Sequence, residues 1–339
     1  MNSARVRRIL GPLVGAACLL WLFRSLSFDQ FRHSVATIKW WWVAGAISAH
    51  IASYAAQGYR WKLLLARTGE LSWFRSTEAI YAGLFVNELL PARPGELLRA
   101  FVVSRWLEVG VAEILPSVVV ERVFDAIWMV FALALTLARV PMARRFLDRE
   151  ALLAGCGIAV AVVAVTAIVV RSTTNWFAHR LRESIAGPQV AQAFAVSGGF
   201  LLGQIAALWL VMQGCRIPLG PAAAMAVFVV IQLGTAIPNA PGNIGTYQLA
   251  CVAGLTMFAV TRGAATAFSV VVFVILTVPV WLLGAAALIG VRSGSGEGQV
   301  SVRSVPDPVT SAITCRSRRR SNGFDSSATP SAREVSTSD

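Results

Sequence analysis

Four charged side chains lie close together in an otherwise apolar stretch of the sequence. The segment from Asn87 to Arg99 reads NELLPARPGELLR. Its charged members are Glu88, Arg93, Glu96 and Arg99. If this stretch crosses a membrane, each unpaired charge at the centre would cost ~2.5–3.5 kcal/mol, and all four on the order of 10 kcal/mol. The four side chains must therefore be ion-paired, hydrated or placed at the membrane surface.

These residue types allow two interpretations. The planar guanidinium group of arginine matches a phosphate group at two points, so Arg93 and Arg99 are candidates for contact with an anionic lipid headgroup. Alternatively, the charges form a salt-bridge network that only holds the segment in place. Glu96 lies three positions before Arg99, so the two can share a helix face, and the start of a helix favours a carboxylate. Both interpretations stay open at this point.

A second charged cluster, ERVFD, follows inside the next apolar run. Glu121 and Asp125 are four positions apart and share a helix face, while Arg122 is three positions from Asp125 and can pair with it. Ionisable residues inside a membrane usually face a cavity and mark a pathway, which predicts a polar cavity here. The alternative is that Glu121 and Arg122 lie at the cytoplasmic end of the helix and reach into water.

A Pro-x-x-Pro-Gly pattern interrupts two of the apolar runs, at Pro91–Gly95 and, 147 positions later, at Pro238–Gly242. Proline removes a backbone donor and glycine permits turns that other residues avoid, so each pattern should end one half-helix and start another. Interrupted segments in corresponding positions of two halves are typical of a transporter site. We therefore expect two re-entrant hairpins, about 76–107 and 221–260. A proline-kinked helix or an ordinary loop is the alternative. The residues expected to shape the hairpins are Pro91, Pro94, Gly95, Pro238, Pro241, Gly242 and Gly245.

The second interrupted segment is polar but almost uncharged. Its polar side chains are the amides of Gln232, Asn239, Asn243 and Gln248 and the hydroxyl of Tyr247. These groups could hydrogen-bond a headgroup, or they could satisfy the broken backbone.

The elements that position these residues must be membrane helices. Only 14% of the 339 residues are charged, against about 25% in soluble domains, and 56% are hydrophobic. The apolar runs are continuous rather than alternating, which favours helices over a β-barrel. The net charge of +13 comes mostly from arginine, as expected of loops that face anionic lipid. The composition leaves no soluble domain for nucleic-acid binding.

The predicted fold is all-α and polytopic, with about six full transmembrane helices and the two re-entrant hairpins in an inverted repeat. Residues 1–290 form the membrane domain, and the tail 291–339, rich in Ser, Arg, Gly and Pro, is predicted to be disordered. The full spans are predicted to include about 9–23, 40–59 and 151–170, and the chain returns to the cytoplasm at Arg60. Six spans place both termini in the cytoplasm. The loop 139–150 then lies outside although it carries four arginines, which runs against the positive-inside rule.

Metal and redox chemistry have little support in the sequence. The five cysteines include no Cys-x-x-Cys pair, and the three histidines are scattered. We therefore expect no metal and no cofactor, and we assign no catalytic residue.

Three blocks, in this order, resemble a known family. NELLPARPGELLRAFVV, ERVFD and AIPNAPGNIGTYQ are similar to the transmembrane region of lysylphosphatidylglycerol synthase/flippase proteins. The resemblance covers about residues 9–290 and implies the flippase part alone, because nothing here corresponds to the soluble aminoacyl-transferase domain of bifunctional relatives. Many relatives have an acid where this chain has Gln248, which argues against a role that needs a carboxylate there, such as proton coupling. The residues that carry the resemblance are Asn87, Pro91, Arg93, Gly95, Glu96, Arg99, Glu121, Arg122, Asp125, Pro238, Pro241, Gly242 and Gly245.

The sequence thus predicts a lipid transporter that moves a polar or anionic headgroup across the cytoplasmic membrane. In this prediction Arg93 and Arg99 contact the headgroup, and Glu96 and Asp125 hold those arginines. Two alternatives are a membrane-embedded lipid-modifying enzyme, for which we find no nucleophile, metal site or nucleotide site, and a non-catalytic membrane partner of one. The expected partners are membrane lipids, with a second copy of the chain or a lipid-synthesis enzyme as candidate protein partners. The full set of expected headgroup-site residues is Asn87, Arg93, Glu96, Arg99, Glu121, Arg122, Asp125, Asn239, Asn243 and Gln248.

Overall fold

The computed structural model describes residues 36–90, 94–141, 187–236 and 241–294, with a few more at 32, 157, 179–181, 183 and 184. These residues form helices and turns without a strand. All of them belong to one compact unit, Met1–Ser295. The helices are α1 (Trp40–Leu65), α2 (Trp73–Leu89), α3 (Gly95–Trp106), α4 (Val111–Arg139), α5 (Pro188–Gly214), α6 (Pro221–Thr235), α7 (Thr246–Thr256) and α8 (Arg262–Gly294), with a 3₁₀ turn at Pro241–Asn243.

Several helices begin at residues whose chemistry favours a helix start. The Ser72 side chain caps α2 by accepting the backbone N–H of Arg75 at 3.3 Å. Pro188 and Pro221 open α5 and α6, where the missing N–H of proline costs nothing. Before α7, Gly245 adopts φ 93° and donates its N–H to the Gln248 side chain at 2.7 Å. The termini of these elements are therefore largely specified by local sequence.

Lengths distinguish two kinds of helix. The helices α1, α4, α5 and α8 have 26, 29, 27 and 33 residues, enough for the ~20 that a bilayer requires. By length and apolar composition, α5 and α8 (to Val291) qualify as membrane spans. The other helices have 17, 12, 15 and 11 residues and are too short to cross alone.

The short helices form two broken pairs, α2 with α3 and α6 with α7, and each pair packs together. The first break is close-packed: the backbone of Gly95 touches the carbonyl oxygen of Gly83, and its N–H donates to Asn87 Oδ1 at 2.7 Å. The second break turns through Gly242, at φ 64°, and Asn243, at φ 52°. Both breaks fall at the Pro-Gly dipeptides. That the pairs are re-entrant and enter from opposite faces stays a prediction.

The order long helix, broken pair, long helix occurs twice, in α1–α4 and in α5–α8. The two halves meet most extensively where α1 packs antiparallel along α5. Lys39 donates its backbone N–H to Gly214 at 3.0 Å near one end of the contact, and Gln204 donates to Ser53 at 2.7 Å further along. Each broken pair also contacts the last helix of the other half, α2 against α8 and α6 against α4.

One predicted boundary differs from the structure. The second span was expected to end at Tyr59, with Arg60 in the cytoplasm, but α1 continues to Leu65 and Arg60 is completely buried. The helix extends because Trp61, Leu64 and Leu65 are also buried and pack against the rest of the unit. The predicted spans near residues 9–23 and 151–170, most of the loop 139–150 and the tail beyond 294 lie outside the described residues.

Candidate functional site

Six charged side chains from three helices form a chain of ion pairs in which the sign alternates. Arg60 lies on α1, Glu96 and Arg99 on α3, and Glu121, Arg122 and Asp125 on α4. We call these six residues the ion-pair network. Its order of contact is Arg99, Glu121, Arg60, Asp125, Arg122 and Glu96.

The inner half of the network is closed to solvent. Glu121 accepts hydrogen bonds from Arg60 at 2.7 Å and from Arg99 at 2.5 Å, and these three side chains are at most 4% exposed. Arg60 also hydrogen-bonds Asp125, and it donates to Ser197 of α5 at 3.0 Å. Buried charges of this kind persist only when paired and hydrogen-bonded. The inner half therefore fixes α1, α3 and α4 to one another.

Aromatic rings complete the enclosure of the two buried arginines. The Arg99 guanidinium lies over the Trp61 ring, 4.7 Å from its centroid, and Arg60 lies 5.7 Å from the centroid of Phe200. The Trp61 indole N–H donates to Ser117 of α4 at 3.0 Å, which holds the ring in place. Arg99 is thus enclosed by Glu121 and Trp61.

The outer half of the network is accessible. Arg122 contacts Glu96 at 3.2 Å and Asp125 at 3.5 Å, and these are the longest ion pairs of the network. The side chains of Arg122, Glu96 and Asp125 are 44%, 34% and 25% exposed. Arg122 and Asp125 lie near the middle of α4, far from either end of a membrane-length helix. An accessible charged group in the middle of a helix that crosses a membrane needs water or a polar ligand.

The second broken pair meets the first broken pair, which belongs to the other half of the molecule. Its 3₁₀ turn contacts α2. A Cβ atom on Gly242 would lie 2.9 Å from the Glu88 carboxylate, so this turn lies directly against the end of α2. The two breaks are therefore neighbours in space, although they are far apart in sequence.

Two contacts close the turn of the second pair. The buried Gln248 side chain accepts the Gly245 N–H at 2.7 Å, and the backbone carbonyl of Asn243 accepts the Thr246 hydroxyl at 3.0 Å. Asn87 serves the first break in the same way, by accepting the N–H of Gly95. These contacts fit the alternative in which polar side chains satisfy broken backbone.

The structure joins five of the expected headgroup-site residues, Glu96, Arg99, Glu121, Arg122 and Asp125, in one network. Arg93 and Asn239, like Pro91 and Pro238, lie outside the described residues. Arg60 was not expected in the site. One sequence feature could have identified it. Polar residues recur every three or four positions along this apolar helix, which marks a buried polar face: His50, Ser53, Gln57 and Arg60. Across the described ranges, no group of three His, Cys, Asp or Glu side chains is placed to hold a metal ion.

The helices, the exposed apolar side chains and the ion-pair network at mid-length of α4 are those of an all-helical membrane protein with a polar interior site. The chain belongs to the family described as the lysylphosphatidylglycerol synthase TM region, which matches residues 8–284. This match spans every described helix except the last turns of α8. Among curated proteins, none matches the chain.

Proposed function

We propose that the protein is a lipid transporter that moves the headgroup of a polar or anionic lipid across the cytoplasmic membrane. The observation that carries the proposal is the accessible half of the ion-pair network, at mid-length of α4 and beside the first break. A polar surface at this depth lowers the cost of bringing a headgroup into the membrane interior, while the acyl chains stay in lipid. Membership of a membrane-lipid family supports this function.

The residues of the network then have different roles. Arg122, with Glu96 and Asp125 beside it, contacts the headgroup, because these side chains are reached from outside. Arg60, Arg99 and Glu121 are positioning residues that hold α3 and α4. We retain Arg93 as a second headgroup contact on the strength of its sequence position. Both termini face the cytoplasm in this proposal.

The test is lipid movement in vesicles that contain the purified protein. Fluorescent phosphatidylglycerol is incorporated on both sides, and a membrane-impermeant quencher reports the fraction that reaches the outer leaflet. We expect the parental protein to move the lipid, Arg122→Gln to lose most of this activity, and Arg180→Gln to retain it. Arg180 is a matched control because it contacts Glu113 at 3.2 Å, is 33% exposed and lies outside the network. Equal rates with parental protein and with protein-free vesicles would refute the proposal.

A further inference from the structure

The ion-pair network begins and ends on the same helix, α3, and its two ends differ. At one end Arg99 is buried and hydrogen-bonded to Glu121 at 2.5 Å. At the other end Glu96 is 34% exposed and contacts Arg122 at 3.2 Å. Glu96 and Arg99 lie about one helical turn apart on α3. The Glu96–Arg122 contact can therefore open while the Arg99–Glu121 contact stays closed. Release of Glu96 would leave α3 attached through Arg99.

Arg122 holds its two carboxylates with one nitrogen each. Nη2 contacts Glu96, and Nη1 contacts Asp125 at 3.5 Å. A phosphate group binds a guanidinium best when it takes both nitrogens at once. Glu96 therefore occupies half of the position that a phosphate would use, and it does so with a long, solvent-accessible contact.

Charge balance indicates how a phosphate would enter. The network contains three arginines and three carboxylates, so an added anion would be in excess unless a carboxylate leaves. Glu96 is the carboxylate best able to leave, because it is in the first turn of α3, where the helix dipole stabilises an anion without a partner. Glu121 cannot leave, because it is fully buried between two arginines.

We infer that Glu96 is a resident anion that holds the place of a phosphate group on Arg122, and that a phosphate-bearing headgroup displaces it on binding. Arg122 is then paired before, during and after the exchange, and no arginine is left unpaired inside the membrane. This inference rests on the proposed function, since it names the event by which the transporter would take up its substrate.

The experiment measures binding to the full-length protein in detergent by calorimetry. The probes are dioctanoyl phosphatidylglycerol, inorganic phosphate and dioctanoylglycerol, which lacks phosphate. We expect Glu96→Gln to bind the phosphatidylglycerol about three- to fivefold more tightly than the parental protein, because the competing charge is removed. Arg122→Gln should bind phosphatidylglycerol more weakly than the parental protein, by at least the same factor. Dioctanoylglycerol should bind all variants equally.

Glu113→Gln is the matched control and should bind phosphatidylglycerol as the parental protein does. Glu113 contacts Arg180 at 3.2 Å and is 31% exposed, close to the values for Glu96, but it lies outside the network. If Glu96→Gln does not fold, Glu96→Asp serves in its place, because a shorter carboxylate reaches Arg122 less well. The same pattern with inorganic phosphate would support the exchange and show that the phosphate group alone is recognised. Unchanged or weaker phosphatidylglycerol binding by a folded Glu96 variant would overturn the inference.

Lipid movement in vesicles separates this inference from the function on which it rests. Tighter binding by Glu96→Gln together with no lipid movement by the parental protein would support the exchange and refute transport. Lipid movement by the parental protein together with unchanged binding by Glu96→Gln would refute the exchange and leave transport standing.

Discussion

Glu121 joins the two buried arginines of the network. Its side chain is fully buried, and its two oxygens accept from different helices, Arg60 of α1 and Arg99 of α3. A buried ion pair adds little net stability, because removing charges from water offsets most of the attraction. The loss of one partner is different, since it leaves a charge buried without compensation.

Replacement of Glu121 should therefore destabilise the protein strongly. We expect Glu121→Gln to lower the free energy of unfolding by about 3–5 kcal/mol, because Arg99 loses the carboxylate that it binds. Glu113→Gln breaks a pair whose side chains are 33% and 31% exposed, and it should change stability by ~1 kcal/mol or less. Thermal unfolding in detergent measures both variants. Equal unfolding temperatures would show that the network does not hold the fold.

The residues of the site were predictable where their partners are local. Glu121, Arg122 and Asp125 were grouped correctly because a spacing of three or four positions places residues on neighbouring parts of one helix. Arg60 was missed because its partners lie on another helix, more than sixty positions later. The sequence predicted that Arg99 contacts a headgroup, but in the structure Arg99 is buried. Trp61 and Glu121 cover it, and because both lie on other helices, no local sequence pattern specifies that packing.

At the scale of elements, the first broken pair depends on the close approach of two glycines. Gly83 and Gly95 bring α2 and α3 together with no side chain between them, and a Cβ atom at Gly95 would overlap the Gly83 carbonyl oxygen. The Pro-Gly dipeptides predicted where these helices break. The contact of α2 with α8 was not predictable, because helices related by long loops choose partners through packing rather than through sequence period.

A single methyl group should test this packing. We expect Gly95→Ala to destabilise the protein by about 1–3 kcal/mol, since the two helices must separate to admit it. Gly199→Ala is the control: no atom lies within 4 Å of its Cβ position, and alanine favours a helix more than glycine does. In thermal unfolding, Gly95→Ala should have a lower unfolding temperature than the parental protein. Gly199→Ala should have the same unfolding temperature as the parental protein or a higher one. A neutral Gly95→Ala would mean that the pair is not close-packed.

At the scale of the whole molecule, charge is distributed unevenly between two halves of similar order. All six members of the network lie in α1, α3 and α4, whereas Arg216 and Arg262 are the only charged residues between positions 188 and 291. The antiparallel packing of α1 along α5 is the arrangement that a two-fold axis in the membrane plane would produce. One half then provides charged groups and the other an apolar and neutral frame.

The topology of the two halves can be tested directly. In a variant without native cysteines, single cysteines beside Gly95 and beside Gly242 should react with an impermeant reagent from opposite sides of the membrane. Labelling of both positions from the same side would contradict the inverted repeat.

A reporter fused after Arg319 should read cytoplasmic, since an even number of spans returns the chain to its starting side. A periplasmic reporter would contradict the even number of spans.

The alternation of sign along the network also bears on how the proposed transporter would respond to voltage. Because the six side chains sum to zero, a movement of the whole network as one unit would carry no net charge through the transmembrane field. One elementary charge crossing 100 mV corresponds to about 2.3 kcal/mol, so even a single uncompensated charge would be detectable. If the protein transports lipid as we propose, a dependence of its rate on an imposed potential would therefore report the charge that crosses the membrane with the lipid.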